Sequence, residues 1–399
     1  MDRRSFLVGA GLLALTQLTS GCSRSNKIAL KVRLLKDSIP AQLLGDFRKA
    51  LKNSAALKFD PEEQLQDLFT RLETWNQQAK AQNTQSQSPL PFIGRKTPAI
   101  ADLVTLGDYW LEAAIEQKLI QPLEISELQG WKQLPSRWQE LVKRDRSGKL
   151  DKSGPIWGAP YRWGTTAIVY RRDKFEDLGW IPKDWSDLWR PELRDRISLL
   201  NQPREIIGLT LKKLGFSYNT TNLSQVPNLK KELLALHQQV KFYSSDNYLE
   251  PLILEDTWLA LAWSTDVLSL RSSYRQIEAV VPRSGTALWA DLWVQPAQVA
   301  TQSNSTETAD LESLKKQWID FCWQPKPARE ISLFSHATSP IITDLNPADL
   351  PKDLRQNSLL LPDKSILDKS EFLKPLPKLA DEEYQALWKE IRTSSGAKG

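Results

Sequence analysis

Apolar positions alternate with polar or small ones from Ile28 to Leu35, the period-two pattern of a half-buried strand. Beyond Pro40 the spacing of Leu43, Leu44, Phe47 and Leu51 changes to that of a helix, so the chain opens as an α/β unit. Residues 77–88, rich in Gln, Asn and Ser, read as a loop or a frayed helix end. Residues 101–106 predict a short buried strand, which turns at Gly107 into a helix reaching about Lys118. Residues 156–170 read as strands broken by Gly and Pro, 184–191 as a helical turn, and 196–200 as a strand. Pro203 starts a helix whose face carries Ile207, Leu211 and Leu214, and Gly215 stops it. Residues 256–265 fit either a helix or a strand edge; 277–281 and 289–294 are strands. A helix runs through Leu311, Leu314, Trp318 and Phe321, and after a tail rich in Pro, Asp and Lys a last helix spans 381–391. The pattern predicts an α/β protein of about 9 to 11 strands in two lobes.

The 399 residues are 41% apolar, which excludes a disordered or collagen-like chain and suits two or three domains or one fold with two large lobes. A formal charge of +5, with acids and bases interleaved, argues against a nucleic-acid partner. There are 16 tryptophans but only two histidines, His237 and His336, so a His-based metal site or relay is not expected, nor is any cofactor. Dinucleotide and phosphate loops, the His-Glu-x-x-His helix, the Gly-x-Ser-x-Gly elbow and paired cysteines are all missing, which argues against an enzyme.

Residues 1–21 carry Arg3 and Arg4, then a run too short to span a bilayer, then small residues. The start resembles a twin-arginine export signal, and residues 18–22 (LTSGC) resemble a bacterial lipobox, implying cleavage before Cys22 and its acylation. Residues 22–27 would form a tether. If Cys22 is lipidated, Cys322, flanked by Phe321 and Trp323, has no partner in the chain and is read as core.

Aromatic residues repeatedly stand beside carboxylates: Asp108 with Tyr109, Trp263 before Asp266, Trp289 with Asp291, and Glu205 behind Pro203. Rings attract an organic ammonium ion by roughly 0.5 to 2 kcal/mol each, and carboxylates add charge-assisted hydrogen bonds. Each residue singly also fits an ordinary role, such as a core tryptophan, a glutamate in a first helical turn, or Asp108 as a helix cap.

Residues 101–110 (ADLVTLGDYW), 161–166 (YRWGTT), 203–208 (PREIIG), 213–221 (KLGFSYNTT), 245–247 (SDN) and 282–291 (PRSGTALWAD) resemble, in order, motifs of the spermidine/putrescine-binding proteins of bacterial ABC importers. The resemblance runs from about Lys31 to Ala328 and implies a type II periplasmic-binding fold: two α/β lobes, a cleft between them and two crossover strands. It implies lobe 1 at 28–161 plus 288–333 and lobe 2 at 162–287 plus 334–399. The hinges would lie near 161–164 and 285–288. A polyamine would be clamped by Tyr109, Glu205, Trp263, Trp289 and Asp291, with Asp108 as a compensating acid. Permease subunits are the implied partners of a monomeric receptor outside the cytoplasm, tethered to the membrane by its N-terminal lipid.

The chain departs from that pattern at Gln202, where the family has an aspartate, and at Leu35 and Ser38, where it has aromatics; a loop aromatic near 335–338 is also replaced. Another small solute in the same fold, or a membrane-tethered lipoprotein without transport function, are the alternatives these departures raise.

Overall fold

Two strands are too long to belong to one lobe, and they organise everything else. In the computed structural model, which describes residues 28–394 apart from 52, 86–99 and 298–304, the strands are β1 (Ala29–Leu35), β2 (Ala56–Glu62), β3 (Leu103–Gly107), β4 (Ile120–Gln121), β5 (Ala159–Arg171), β6 (Ile197–Leu199), β7 (Val240–Tyr243), β8 (Leu259–Trp263), β9 (Ile277–Val280), β10 (Ala287–Pro296) and β11 (Glu371–Phe372). The strand order is β2-β1-β3-β10-β5-β8-β6-β7. β1, β2 and β3 are parallel, as are β6, β7 and β8, so each lobe has its own parallel core. β10 lies antiparallel to β3 and to the first half of β5, and the second half of β5 lies antiparallel to β8 and β9.

Two apolar cores result, one on each side of this shared pair. The first takes Val32, Phe47, Leu106, Trp138, Trp163, Trp293 and Trp318; the second takes Ala167, Ile207, Leu261, Val267 and Tyr384. The changeover falls between Trp163 and Ala167 on β5 and between Ala287 and Leu288 on β10. Aromatic stacking fastens the first core to the crossover strands: Tyr161 and Trp293 stack with centroids 4.2 Å apart, and Trp138 lies 5.3 Å from Trp163. Cys322 is wholly buried, and burial drives its thiol pKa upward, as expected of a core residue. Among the described residues no helix is long and apolar enough to cross a membrane. Residues 1–27, with the export signal, Cys22 and the tether, lie outside the described residues.

Four sequence expectations need correction. Residues 159–171 form one unbroken, fully buried strand despite Pro160 and Gly164. Residues 259–263 are a strand with β5 and β6 on either side, the ambiguous segment having become the middle of the second sheet. The helix Leu65–Gln85 runs through much of the Gln-rich stretch. The tail after 333 does not all join the second lobe: Ile341, Ile342, Leu350 and Leu354 pack in the first core, β11 pairs with β10, and the helix Lys378–Thr393 then packs in the second through Tyr384, Trp388 and Ile391.

Gly164 explains why a glycine sits inside β5. A Cβ there would come within 2.3 Å of the Trp289 ring and 2.4 Å of Ser264 Oγ, so only a bare Cα lets the indole lie on the strand. Gly164→Ala is expected to cost about 1–3 kcal/mol through overpacking, read as a lowered urea midpoint; an unchanged midpoint would mean that Trp289 has room to retreat.

Candidate functional site

Parallel α/β sheets gather loops at the carboxyl ends of their strands, where ligands bind. In the first lobe β3 ends at Gly107 and delivers Asp108 and Tyr109; in the second, β8 ends in Trp263, and the chain leaving β6 passes Gln202 into the helix Pro203–Lys213, which carries Glu205. The crossover strands supply the rest. On β10, Trp289 is opposite Gly164 and Asp291 is opposite Gly107 on one side and Arg162 on the other.

Contacts tie these residues into one cluster. Thr166, opposite Trp263 in the ladder, donates its hydroxyl to Glu205 Oε1 at 2.9 Å. Glu205 Oε2 is buried and has no partner within hydrogen-bonding distance. Trp289 is half-buried, and its Nε1 makes a long 3.4 Å bond to the Thr165 carbonyl. Asp108 does not cap its helix: its Oδ1 accepts from the Ala290 amide of β10 at 2.9 Å, which fastens the acid to the crossover strand. Tyr109 is 63% exposed, and its ring meets Trp110 edge-on at 5.7 Å. Gln202 stands at the helix N-terminus and makes no side-chain cap; its carbonyl accepts from Glu205 N and Ile206 N, each at 3.1 Å.

Electrostatics single out two of the acids. Burial pushes the Glu205 carboxyl up to about 7, the Asp108 charge adds to the rise, and the Thr166 and Trp263 side chains and Arg204 partly offset it. Burial likewise pushes Asp108 up to about 7, opposed by the Ala290 amide and Arg144 and helped by Asp291. The Asp108 charge contributes to the rise at Glu205, a like charge acting from the other lobe. Neither has an ion-pair partner within 4 Å among the described residues.

Asp291 is different. It is 1% exposed, and Arg162 Nε donates to its Oδ2 at 2.6 Å, while Arg162 Nη1 donates to the Ser335 carbonyl at 3.0 Å. Burial raises the carboxyl despite the guanidinium, and Asp291 holds Arg162 charged against its own desolvation. A second acid near the tryptophans, Asp266, accepts a hydrogen bond from the Tyr248 hydroxyl, and the Tyr248 ring meets Trp263 edge-on at 5.7 Å.

Arg162 and Thr166 are site residues that sequence reasoning misses, although both lie in the 161–166 motif. The available signal is a charge in the interior of a stretch of strand-forming residues, which, once buried, requires a counter-ion. Ser38, one of the departures, is fully buried in the turn after β1, and His336 is a half-buried residue with φ of 56° beside Arg162's carbonyl partner.

The model of the bacterial extracellular solute-binding protein family matches residues 99–370, more than half of the chain. The chain belongs to that family. Solute-binding proteins similar to it include the spermidine/putrescine-binding periplasmic protein of Salmonella typhimurium, 26% identical over 274 residues that cover 68% of this chain and 72% of that one. A putrescine/cadaverine-binding protein of Pseudomonas aeruginosa is 26% identical over 63% of this chain and 71% of its own. Among solved structures, a spermidine/putrescine transporter substrate-binding protein from Streptococcus pneumoniae aligns with a TM-score of 0.71 at 19% identity, covering 91% of this chain and 98% of that one. A periplasmic thiamin-binding protein aligns with a TM-score of 0.55 at 14% identity, over 96% and 100% of the two chains. These structures establish the two-lobed type II periplasmic-binding fold for this solute-binding protein.

The buried Arg162–Asp291 pair sets a measurable cost. Asp291→Asn leaves a guanidinium buried without a counter-charge and is expected to lose about 3–5 kcal/mol, seen in urea unfolding. Replacing both residues by leucine should recover most of that loss; if the single variant is as stable as wild type, the pair contributes nothing to folding.

Proposed function

We propose that this solute-binding protein captures an ammonium ion of the polyamine class between its lobes, outside the cytoplasm, and presents it to the permease of an ABC importer. The observation that carries the reading is the pair Asp108 and Glu205: two acids from opposite lobes, both pushed up to about 7, beside the rings of Trp263 and Trp289. Buried like charges are unfavourable until a cation arrives between them, and tryptophan faces suit the alkyl part of an amine as well as its charge. The relatives' own ligands, spermidine, putrescine and cadaverine, belong to this class.

Closure follows from the same geometry. Contacts to Asp108 and Tyr109 in one lobe and to Glu205 and Trp263 in the other exist together only when the lobes approach, so a ligand that uses both shifts the open–closed balance by its differential affinity. Export through residues 1–21 and a lipid on Cys22 belong to the same proposal. Cys22→Ala is expected to release the protein from the membrane fraction, with no change in fractionation as the contrary result.

A thermal-shift panel of polyamines, amino acids, sugars, anions and metals tests the ligand class. A true ligand at 100 times its Kd should stabilise by about 2.7 kcal/mol. Silence of every polyamine removes this reading, and silence across the panel favours the non-transport lipoprotein.

The acids also give a pH dependence. Their folded pKa values lie above the unfolded ones, so in the unliganded protein they favour folding at low pH, and that contribution is lost as pH rises through about 7. A bound cation requires both acids ionised, so its affinity should fall as pH drops below about 7 and binding should release protons. Calorimetry in two buffers of different ionisation enthalpy reads that release; proton uptake, or tighter binding at pH 5 than at pH 8, would contradict the assignment.

A further inference from the structure

We infer that Arg162 is a built-in cation that takes the place of one ligand ammonium, so that the cleft selects an amine with a single ammonium and an uncharged far end, such as an N-acylated diamine, over a free diamine or triamine. The inference rests on the polyamine-class reading above and narrows it.

Asp291 shares a strand face with Trp289, two residues away, and lies opposite Gly107, the neighbour of Asp108. A carboxylate in that position would meet a ligand ammonium, but it is already met by Arg162 at 2.6 Å, with the two side chains 3% and 2% exposed. The guanidinium is held from a second side by the Ser335 carbonyl, and Ser335 is itself buried. A ligand ammonium would have to displace a tethered cation, whose effective concentration is high, and would leave it buried and unpaired.

The other acid beside the tryptophans, Asp266, accepts from the Tyr248 hydroxyl and is already acted on by the Arg162 charge. Asp108, fixed to Ala290 of β10, and Glu205, fixed to Thr166 of the paired strand β5, have no ion-pair partner within 4 Å among the described residues and together serve as one receptor for one cation. A second ammonium, carried along past Trp289, would come to rest beside Arg162, where like charges repel. An amide or hydroxyl end has no such penalty, and a guanidinium only donates hydrogen bonds, so an acceptor there is favoured.

The test is calorimetry at pH 8 with putrescine, N-acetylputrescine and spermidine on the purified full chain, on Arg162→Gln and on the double variant Arg162→Gln with Asp291→Asn. Wild type should bind N-acetylputrescine more tightly than putrescine by roughly tenfold. Arg162→Gln frees Asp291 and should move that ratio toward putrescine by roughly tenfold or more, while the double variant, lacking both the repelling cation and the freed acid, should fall between the two, with the wild-type preference weakened. Putrescine binding wild type as tightly as the acetylated amine, or a ratio unmoved in Arg162→Gln, overturns the inference while leaving the polyamine reading intact. If Arg162→Gln does not fold, the wild-type order and its weakening in the double variant decide, and an unweakened preference there overturns the inference. Binding of no amine to any of the proteins overturns the polyamine reading and this inference with it.

Discussion

Both lobes hang on two antiparallel strands that neither lobe owns. β5 pairs with β10 through its first half and with β8 and β9 through its second, and the point where it changes partners is the point where one apolar core ends and the other begins. A backbone ladder buried within the fold cannot break without leaving unpaired amide groups, so relative motion of the lobes has to proceed by bending and twisting of these strands with the ladder intact. The same strands bring the site together. Trp289 and Asp291 stand on β10, Arg162 and Thr166 on β5, and Asp108 is fastened to β10 through the Ala290 amide.

Local patterns that report burial are legible in the order of residues alone. The alternation of 28–35, the helix from Pro203 with its stop at Gly215, and the strand through Trp289 and Asp291 all occur where the apolar spacing puts them. Trp75, Trp138, Trp318 and Trp388 on helical spacing are buried, whereas Trp263 and Trp289 remain half-buried at the lobe boundary. Where the pattern misleads, the missing information is tertiary. Gly164 looks like a breaker unless one knows that an indole from residue 289 fills its Cβ position. Residues 259–263 are too short a run for periodicity to separate helix from strand. β2 escapes notice because, at the margin of the first sheet, it is polar and contains Pro61, which such an edge tolerates.

Site residues show the same division. Residue types and motif order nominate Asp108, Tyr109, Glu205, Trp263, Trp289 and Asp291 as candidates, but say nothing of their electrostatic state. Asp291 and Glu205 look alike in sequence, each a carboxylate next to rings. In the folded chain one is paired with a cation 129 residues away, and the other has a bare buried oxygen. On the proposed reading, Gln202, standing where the resembled pattern has an acid, and Arg162, which neutralises Asp291, act in the same direction, lowering the number of positive charges the cleft can hold.

The C-terminal tail adds a third connection between the lobes. It packs Ile341 to Leu354 in the first core, adds β11 alongside β10, and finishes as a helix in the second core. A body joined by two adjacent strands can both bend and swivel about them, whereas a further link removes rotations that do not share its axis. The tail therefore acts as a guide rail that narrows the ways in which the two lobes can move against each other.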